Sequence, residues 1–357
     1  VLRFAVIGCG NIGALHARLI AEATGRAALV AVLGRTPARA GPLARRYGCD
    51  WSTDLADLLA RDDVDAVSVC TPSGTHGTIA LAALERGKHV LVEKPIDIDV
   101  ATADRLIAAS RRHDRRLGVV SQHRFDPATR VVAEALRAGR LGVPTAVQVE
   151  VPLWRSPQYY ATGGWRGTRA MDGGGALMNQ GVHLVDLMLA LCGPAVEVDA
   201  RTARRVHEGI EVEDVVAATI HFASGALGTL LATTAAYPGL TTRLAVYGSR
   251  GSAVIDNDRL AYFHAAAEGD DVGGFGAYGA ANQAAAVLPA DPEWEADRDP
   301  YGMPLRPHRD QIADFCDAVA LGRAPHVDGA EGRRALALVR AVYAAAETGR
   351  PVRIEPA

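Results

Sequence analysis

Leu2-Arg3-Phe4-Ala5-Val6-Ile7-Gly8-Cys9-Gly10-Asn11-Ile12-Gly13 decides the fold of this chain. Leu2 to Ile7 is a short apolar strand, and a helix-like run begins at Ala14. Between them stands G-x-G-x-x-G. Gly8 permits a tight turn, Gly10 lets backbone approach a pyrophosphate, and Gly13 lets the helix pack on the strand. Free N–H groups and the dipole at the helix start favour an anion. A glycine-rich βα turn without a ligand is the bland alternative. The place of this motif, between strand and helix, favours dinucleotide binding.

Working outward, the next strand is Ala28 to Leu33, followed by Gly34-Arg35-Thr36. An NAD-binding unit usually carries an acid there for the ribose hydroxyls. A guanidinium at Arg35 and a hydroxyl at Thr36 suit a 2′-phosphate instead, so NADP is favoured, with NAD the alternative. Further β and α segments follow: a helix over Asp54–Ala60, a strand over Val64–Cys70 and the loop Thr71-Pro72-Ser73-Gly74-Thr75-His76. His76 opens the next helix, facing the expected cofactor cleft. Val90-Leu91-Val92 is then a buried strand, and Glu93-Lys94-Pro95 stands at its end. Ligands bind outside the carboxyl ends of such strands, so Lys94 is placed to face a substrate and carry a proton. A last strand at Gly118–Val120 completes a doubly wound parallel sheet.

After Ser121 the pattern changes. Gln122-His123-Arg124-Phe125 leads to Asp126-Pro127, an N-cap and N1 pair. Strand patterns over Thr145–Val151, Asp214–Phe222, Ala226–Thr233 and Arg243–Tyr247 are joined by turns, which predicts an α+β domain with a large, mostly antiparallel open sheet. The expected division is 1–121, a dinucleotide-binding Rossmann domain, and 122–357, for substrate binding and oligomerisation, with final helices from about 306 packing back across the domains. The Ala- and Gly-rich stretch 264–304 reads as a long loop, a lid or an interface arm.

Arg155, Tyr160, Trp165 and Arg166 crowd one loop, in a composition that suits a polar, ring-shaped ligand such as a sugar. Gly173-Gly174-Gly175 precedes a helix in which Asn179 and His183 share a face, with Asp186 three residues on. The histidine is a candidate base.

Composition bounds the function. With 357 residues, two domains are expected, and a formal charge of −3 argues against a nucleic-acid partner. No apolar run reaches the length of a membrane span. Strand-like sequence from Leu2 leaves no room for a signal peptide, and five scattered cysteines without a C-x-x-C pair fit a reducing compartment and no metal. The location expected is cytoplasmic.

Together these motifs resemble the Gfo/Idh/MocA family of oxidoreductases. The resemblance rests on Gly8 to Gly13, Cys70-Thr71-Pro72 with His76, Glu93-Lys94-Pro95, and Gly173-Gly174-Gly175 through His183 and Asp186. It implies hydride transfer between a nicotinamide cofactor and a secondary alcohol or ketone of a sugar, cyclitol or sugar derivative. It implies cofactor contacts from Gly8, Gly10, Asn11, Ile12, Gly13, Arg35, Thr36, Thr71, Pro72, His76, Glu93, Lys94 and Gln122, with Glu93 on the nicotinamide ribose. Lys94, Arg124, Arg155, Tyr160, Trp165, Arg166, Asn179 and His183 are the expected substrate contacts, with Lys94 and His183 lining one cleft. Lys94 polarises the reacting hydroxyl and His183 is the common proton acceptor. Inositol-dehydrogenase-like members carry Asp where this chain has Asn179, which leaves the main acceptor open between His183 and Lys94. The Met178-Asn179-Gln180-Gly181-Val182-His183 form looks like a branch that includes dehydrogenases of nucleotide-linked sugar uronates. Homodimers or homotetramers through the sheet are implied. The alternatives are a cofactor-sensing regulator without activity, and a member that uses NAD transiently for transferase or hydrolase chemistry.

Overall fold

The structure, a computed structural model, describes residues 1–267, 269, 276, 279–298 and 304–355. The chain divides into two compact units. One comprises Val1–Gln122, Ala170–Gly173 and Arg298–Leu336, and the other His123–Arg169, Gly174–Asp297 and Ala337–Ala357.

The first unit is built on six strands: β1 (Leu2–Ile7), β2 (Ala27–Leu33), β3 (Asp50–Ser52), β4 (Ala66–Val69), β5 (His89–Val92) and β6 (Leu117–Val119). All neighbours are parallel, in the order β3-β2-β1-β4-β5-β6. Central strands such as β4 are buried along their whole length, as strands covered on both faces must be. The winding order of the strands reverses between β1 and β4, so the turns after them form the switch-point crevice where α/β sheets bind ligands. The core here runs through Phe4, Val6, Leu91, Val120 and Ile312 to Phe315, whose ring lies 6.0 Å from that of Phe4. Late sequence therefore completes this core: the helix Arg306–Leu321 packs within the first unit.

The second unit holds an eight-stranded sheet: β7 (Pro144–Pro152), β8 (Ala195–Ala203), β9 (Val215–Phe222), β10 (Leu227–Thr233), β11 (Arg243–Gly248), β12 (Gly251–Asp256), β13 (Arg259–Ala265) and β14 (Val352–Arg353). The order is β13-β12-β11-β7-β10-β9-β8-β14. Only β7 with β10 is parallel. Alternation of buried and exposed residues along most of β9 and β10 gives the sheet one covered face. The helix Val182–Cys192, apolar nearly all round, packs on β7. On the open face Leu227 and Leu231 stay exposed. The stretch 264–304 lies partly outside the described residues; its described part includes the short helices Ala284–Val287 and Pro292–Ala296. No helix among the described residues is long and apolar enough to cross a membrane.

Candidate active site

In the first unit, each glycine of the opening motif has its own steric reason. Gly8 sits at φ +108°, and a Cβ there would lie 2.4 Å from the Cys70 carbonyl oxygen and 3.2 Å from Thr71 Cγ2. The two switch-point turns thus touch. A Cβ on Gly13 would lie 1.8 Å from the Gly8 carbonyl oxygen, which is close helix–strand packing. Gly10 has nothing within 4 Å of a Cβ position, and Gly10 and Asn11 are exposed. The helix Asn11–Glu22 begins there with no side-chain cap and no acid in its first turn. Open space at Gly10 and an uncapped helix start fit a dinucleotide diphosphate. Arg35 and Thr36 are exposed after β2, and the Thr36 hydroxyl does not cap the helix Pro37–Tyr47 that follows.

Lys94 is half-buried at the end of β5, before a cis Pro95. Its neighbours differ from expectation. Glu93, read as a ribose contact, is buried, with Oε1 3.2 Å from His16 Nε2. Its other oxygen accepts from the Lys94 backbone N–H at 3.2 Å. His16 was not singled out from the sequence, where it is one histidine on an apolar helix face. His76 is also corrected: it is buried, and its ring nitrogens lie 2.8 Å from the carbonyl oxygens of Pro95 and Thr71. It brackets two loops and presents no free ring nitrogen to a ligand. Burial holds its pKa below the ordinary histidine value, against the pull of those carbonyls. Asp97 accepts from Gly77 N at 2.9 Å and Asp99 N at 2.9 Å, which pins the same turn from its far side. Gln122 is buried, and its Oε1 has no hydrogen-bond partner.

In the second unit, the triple glycine is explained by close approach. A Cβ on Gly174 would lie 2.1 Å from the Tyr343 hydroxyl, and one on Gly175 would lie 1.8 Å from the Glu213 carbonyl oxygen. The Glu213 carboxylate accepts from Gly175 N at 2.9 Å, Leu177 N at 3.0 Å and the Tyr343 hydroxyl at 2.9 Å. This cap anchors the helix start, and burial raises the pKa of Glu213 above the ordinary carboxylate value. The helix opens as a π turn, Ala176–Gly181, before the α-helical Val182–Cys192. Nearly every residue from Ala176 to Leu189 is buried; Asn179 and His183 are the two that are not. That spacing leaves both polar groups on the one open face of an otherwise buried helix.

Arg124, expected on substrate, is paired within the chain. Its Nε and terminal nitrogen donate to the two oxygens of Asp186 at 2.6 and 2.5 Å, and both side chains are buried. Asp126 does not cap its helix through its side chain either. It turns to His123, whose Nδ1 lies 2.8 Å from Asp126 Oδ2 and 3.1 Å from Asp258 Oδ1. The His123 ring meets the His183 ring edge-on, with centroids 5.2 Å apart. Burial works against a charged His123, but the two carboxylates hold its pKa well above the ordinary value.

The loop after β7 gathers its expected residues around one that was missed. The guanidinium carbons of Arg155 and Arg166 lie 5.0 and 4.8 Å from the centre of the Tyr159 ring. Arg166 also lies 4.7 Å from the Trp165 ring. Neither arginine has a carboxylate partner among the described residues, and the Nε of each is buried without a hydrogen bond. Tyr160 donates to or accepts from Thr234 Oγ1 at 2.7 Å and packs on His207.

The family described as oxidoreductase family, NAD-binding Rossmann fold matches residues 2–121, and the GFO/IDH/MocA C-terminal domain matches residues 129–254. Inositol 2-dehydrogenase of Rhizobium meliloti (strain 1021) is 30% identical over 262 residues, which cover 72% of this chain and 76% of that protein. Myo-inositol 2-dehydrogenase of Thermotoga maritima is 28% identical over 361 residues, 99% of each chain. Among solved structures, the WlbA dehydrogenase from Bordetella pertussis, in complex with NADH and UDP-GlcNAcA, has a TM-score of 0.88 at 29% identity, covering 100% of this chain and 98% of that one.

Proposed function

The chain belongs to the Gfo/Idh/MocA oxidoreductase family, and within it we propose that it oxidises a secondary alcohol on an anionic sugar derivative, or reduces the corresponding ketone, with NADP as the favoured cofactor. It is an NAD(P)-dependent dehydrogenase acting on CH–OH groups. The nicotinamide, when bound, supplies the hydride acceptor. The Gly8–Gly13 turn and the start of the following helix hold the diphosphate, and Arg35 with Thr36 takes the 2′-phosphate. Lys94 hydrogen-bonds the reacting hydroxyl and favours its oxyanion. His183 accepts the proton, with Asn179 orienting the substrate from the preceding turn.

One observation carries the substrate class. Arg155 and Arg166 stack on Tyr159 with no acid among the described residues to neutralise them. Two half-buried guanidiniums without a carboxylate among the described residues favour a ligand that brings its own negative charge, as a carboxylate or diphosphate does. UDP-GlcNAcA, held by the WlbA dehydrogenase, carries both groups. Inositols, the substrates named for two relatives, carry neither. A screen of cyclitols, neutral sugars, aldonates and nucleotide-linked sugar uronates, followed by reduced-cofactor absorbance with NAD and with NADP, tests this. The expected result is turnover with an anionic sugar at a KM well below that of any neutral one. Efficient oxidation of a neutral cyclitol and no response to the anions would sink it. The open sheet face, with Leu227 and Leu231 exposed, further supports a homodimer or homotetramer. Sedimentation showing only monomer at micromolar concentration would exclude that.

A further inference from the structure

We propose that His16 is a positioning residue for Lys94: from the first helix it clamps the Glu93 carboxylate against the Lys94 backbone, and so fixes both the place of Lys94 and the negative charge beside it. The inference rests on the reading of Lys94 as the residue at the reacting hydroxyl.

The pair is built into the core. His16 is 1% exposed and Glu93 6% exposed. Around His16 the buried face of its helix is Leu15, Ala17, Leu19 and Ile20. Nδ1 of His16 lies 2.7 Å from Ser68 Oγ, and Ser68 on β4 is fully buried. That contact fixes the ring so that Nε2 faces Glu93 at 3.2 Å, an ion pair whose angle falls short of a hydrogen bond. The groups around the pair come from four elements. They are His16 on the first helix, Ser68 with Cys70 near Ser68 at 3.5 Å, Lys94 in the turn, and His308 on the helix Arg306–Leu321 with its ring 6.2 Å from that of His16. Burial opposes the charge on His16, but Cys70 and Glu93 raise its pKa to about 10. Burial likewise opposes the charge on Glu93, but His16 and Lys94 lower its pKa to about 2.

A buried ion pair stabilises a fold little more than apolar residues of the same size would. A histidine and a glutamate in this apolar layer therefore point to a task beyond stability. Their placement names it. Lys94 stands between two restraints: Glu93 accepts its backbone N–H, and His76 holds the Pro95 carbonyl oxygen at 2.8 Å. The helix that carries His16 is the one that opens at the Gly8–Gly13 turn. The lysine is thus tied to the element expected to hold the cofactor diphosphate.

The test uses Glu93→Gln and His16→Gln, singly and together, with Lys94→Ala as the reference. Removing the carboxylate's charge lowers the proton affinity of Lys94 whether the lysine acts as donor or acceptor. The Lys94 limb of the kcat/KM–pH profile should therefore move to lower pH by about one unit in Glu93→Gln. Turnover should fall about ten- to a hundredfold from misplacement, with cofactor affinity little changed. His16→Gln removes a cation and should not move the limb to lower pH, but turnover should fall by a similar factor, and the double variant should be no worse than Glu93→Gln. Where His16→Gln fails to fold, the neutral, same-size Glu93→Gln decides alone. A wild-type profile in Glu93→Gln, or full additivity in the double variant, overturns the inference. Loss of turnover in Lys94→Ala alongside such a profile leaves the Lys94 reading standing. Undiminished turnover in Lys94→Ala overturns both.

Discussion

Two sets of charges in this molecule are arranged in opposite ways. Around Lys94, and again at Arg124, the chain answers each buried charge with one of its own: His16 with Glu93, and Arg124 with Asp186. At Arg35, and at Arg155 and Arg166, the guanidiniums have no carboxylate among the described residues. The difference teaches how to read an arginine or a glutamate in a site. A charge satisfied within the chain shapes the site, whereas one left without a counter-charge is available to a ligand. Replacing a member of the first set should cost folding stability, and replacing a member of the second should cost binding alone.

The largest effect should come from Arg124→Ala. It removes a bidentate partner from a buried carboxylate, and breaking such a pair costs about 3–5 kcal/mol. Urea unfolding should show a lower midpoint with an unchanged slope. A loss under about 1 kcal/mol would place Arg124 with the ligand-facing arginines instead.

The His16–Glu93 pair should show itself through pH. A histidine raised to about 10 from 6.5 contributes stability that is complete below pH 6.5 and is lost as pH climbs through 10. A glutamate lowered to about 2 from 4.5 contributes stability that is complete above pH 4.5 and is lost as pH falls through 2. The stability of the wild type relative to His16→Gln should therefore be level between about pH 5 and 6.5. Above that it should shrink, by at most about 1.4 kcal/mol per pH unit. A difference that grows from pH 7 to pH 9 would show that His16 is neutral in the folded protein.

Which charges fall in which set was not legible in the sequence. Local pattern identified the Gly8–Gly13 turn, Lys94 at a strand end and the Asn179/His183 face, because each depends on neighbours within a few residues. Partnership depends on distant ones. Arg124 and Asp186 are 62 residues apart, and His76 and the Pro95 carbonyl 19. Residue type alone reads Arg124 as a substrate contact and His76 and Glu93 as cofactor contacts, and does not reveal that Arg124 pairs with Asp186, His76 with two backbone carbonyls and Glu93 with His16. Tyr159 was missed for the same reason, since only the fold brings two arginines over its ring. Strand β8 was missed because Glu197, Asp199 and Arg201 interrupt its apolar residues, and Glu197 and Arg201 lie on the side of the strand away from Val198 and Ala200.

The smallest effect belongs to Arg35, an exposed member of the unpartnered set. It stands after β2 in Gly34-Arg35-Thr36, and a Cβ on Gly34 would crowd Ala40 and Cys9 at 3.2 Å. The position after the strand is therefore tight for a larger side chain such as the usual acid, and no acid at Gly34, Arg35 or Thr36 repels a 2′-phosphate. Arg35 is exposed, with no side-chain partner among the described residues, so its contact with phosphate is one charge-assisted bond in solvent. Such a bond contributes about 1.5 kcal/mol at the low end, roughly tenfold in affinity. Arg35→Ala should weaken NADP by about that factor, leave NAD unchanged, and leave the unfolding midpoint within error. Titration of both cofactors against wild type and variant measures this directly. Equal losses for NADP and NAD would mean that Arg35 serves the diphosphate or the fold. Tighter binding of NAD than NADP in the wild type would mean that the missing acid is made good by backbone contacts alone.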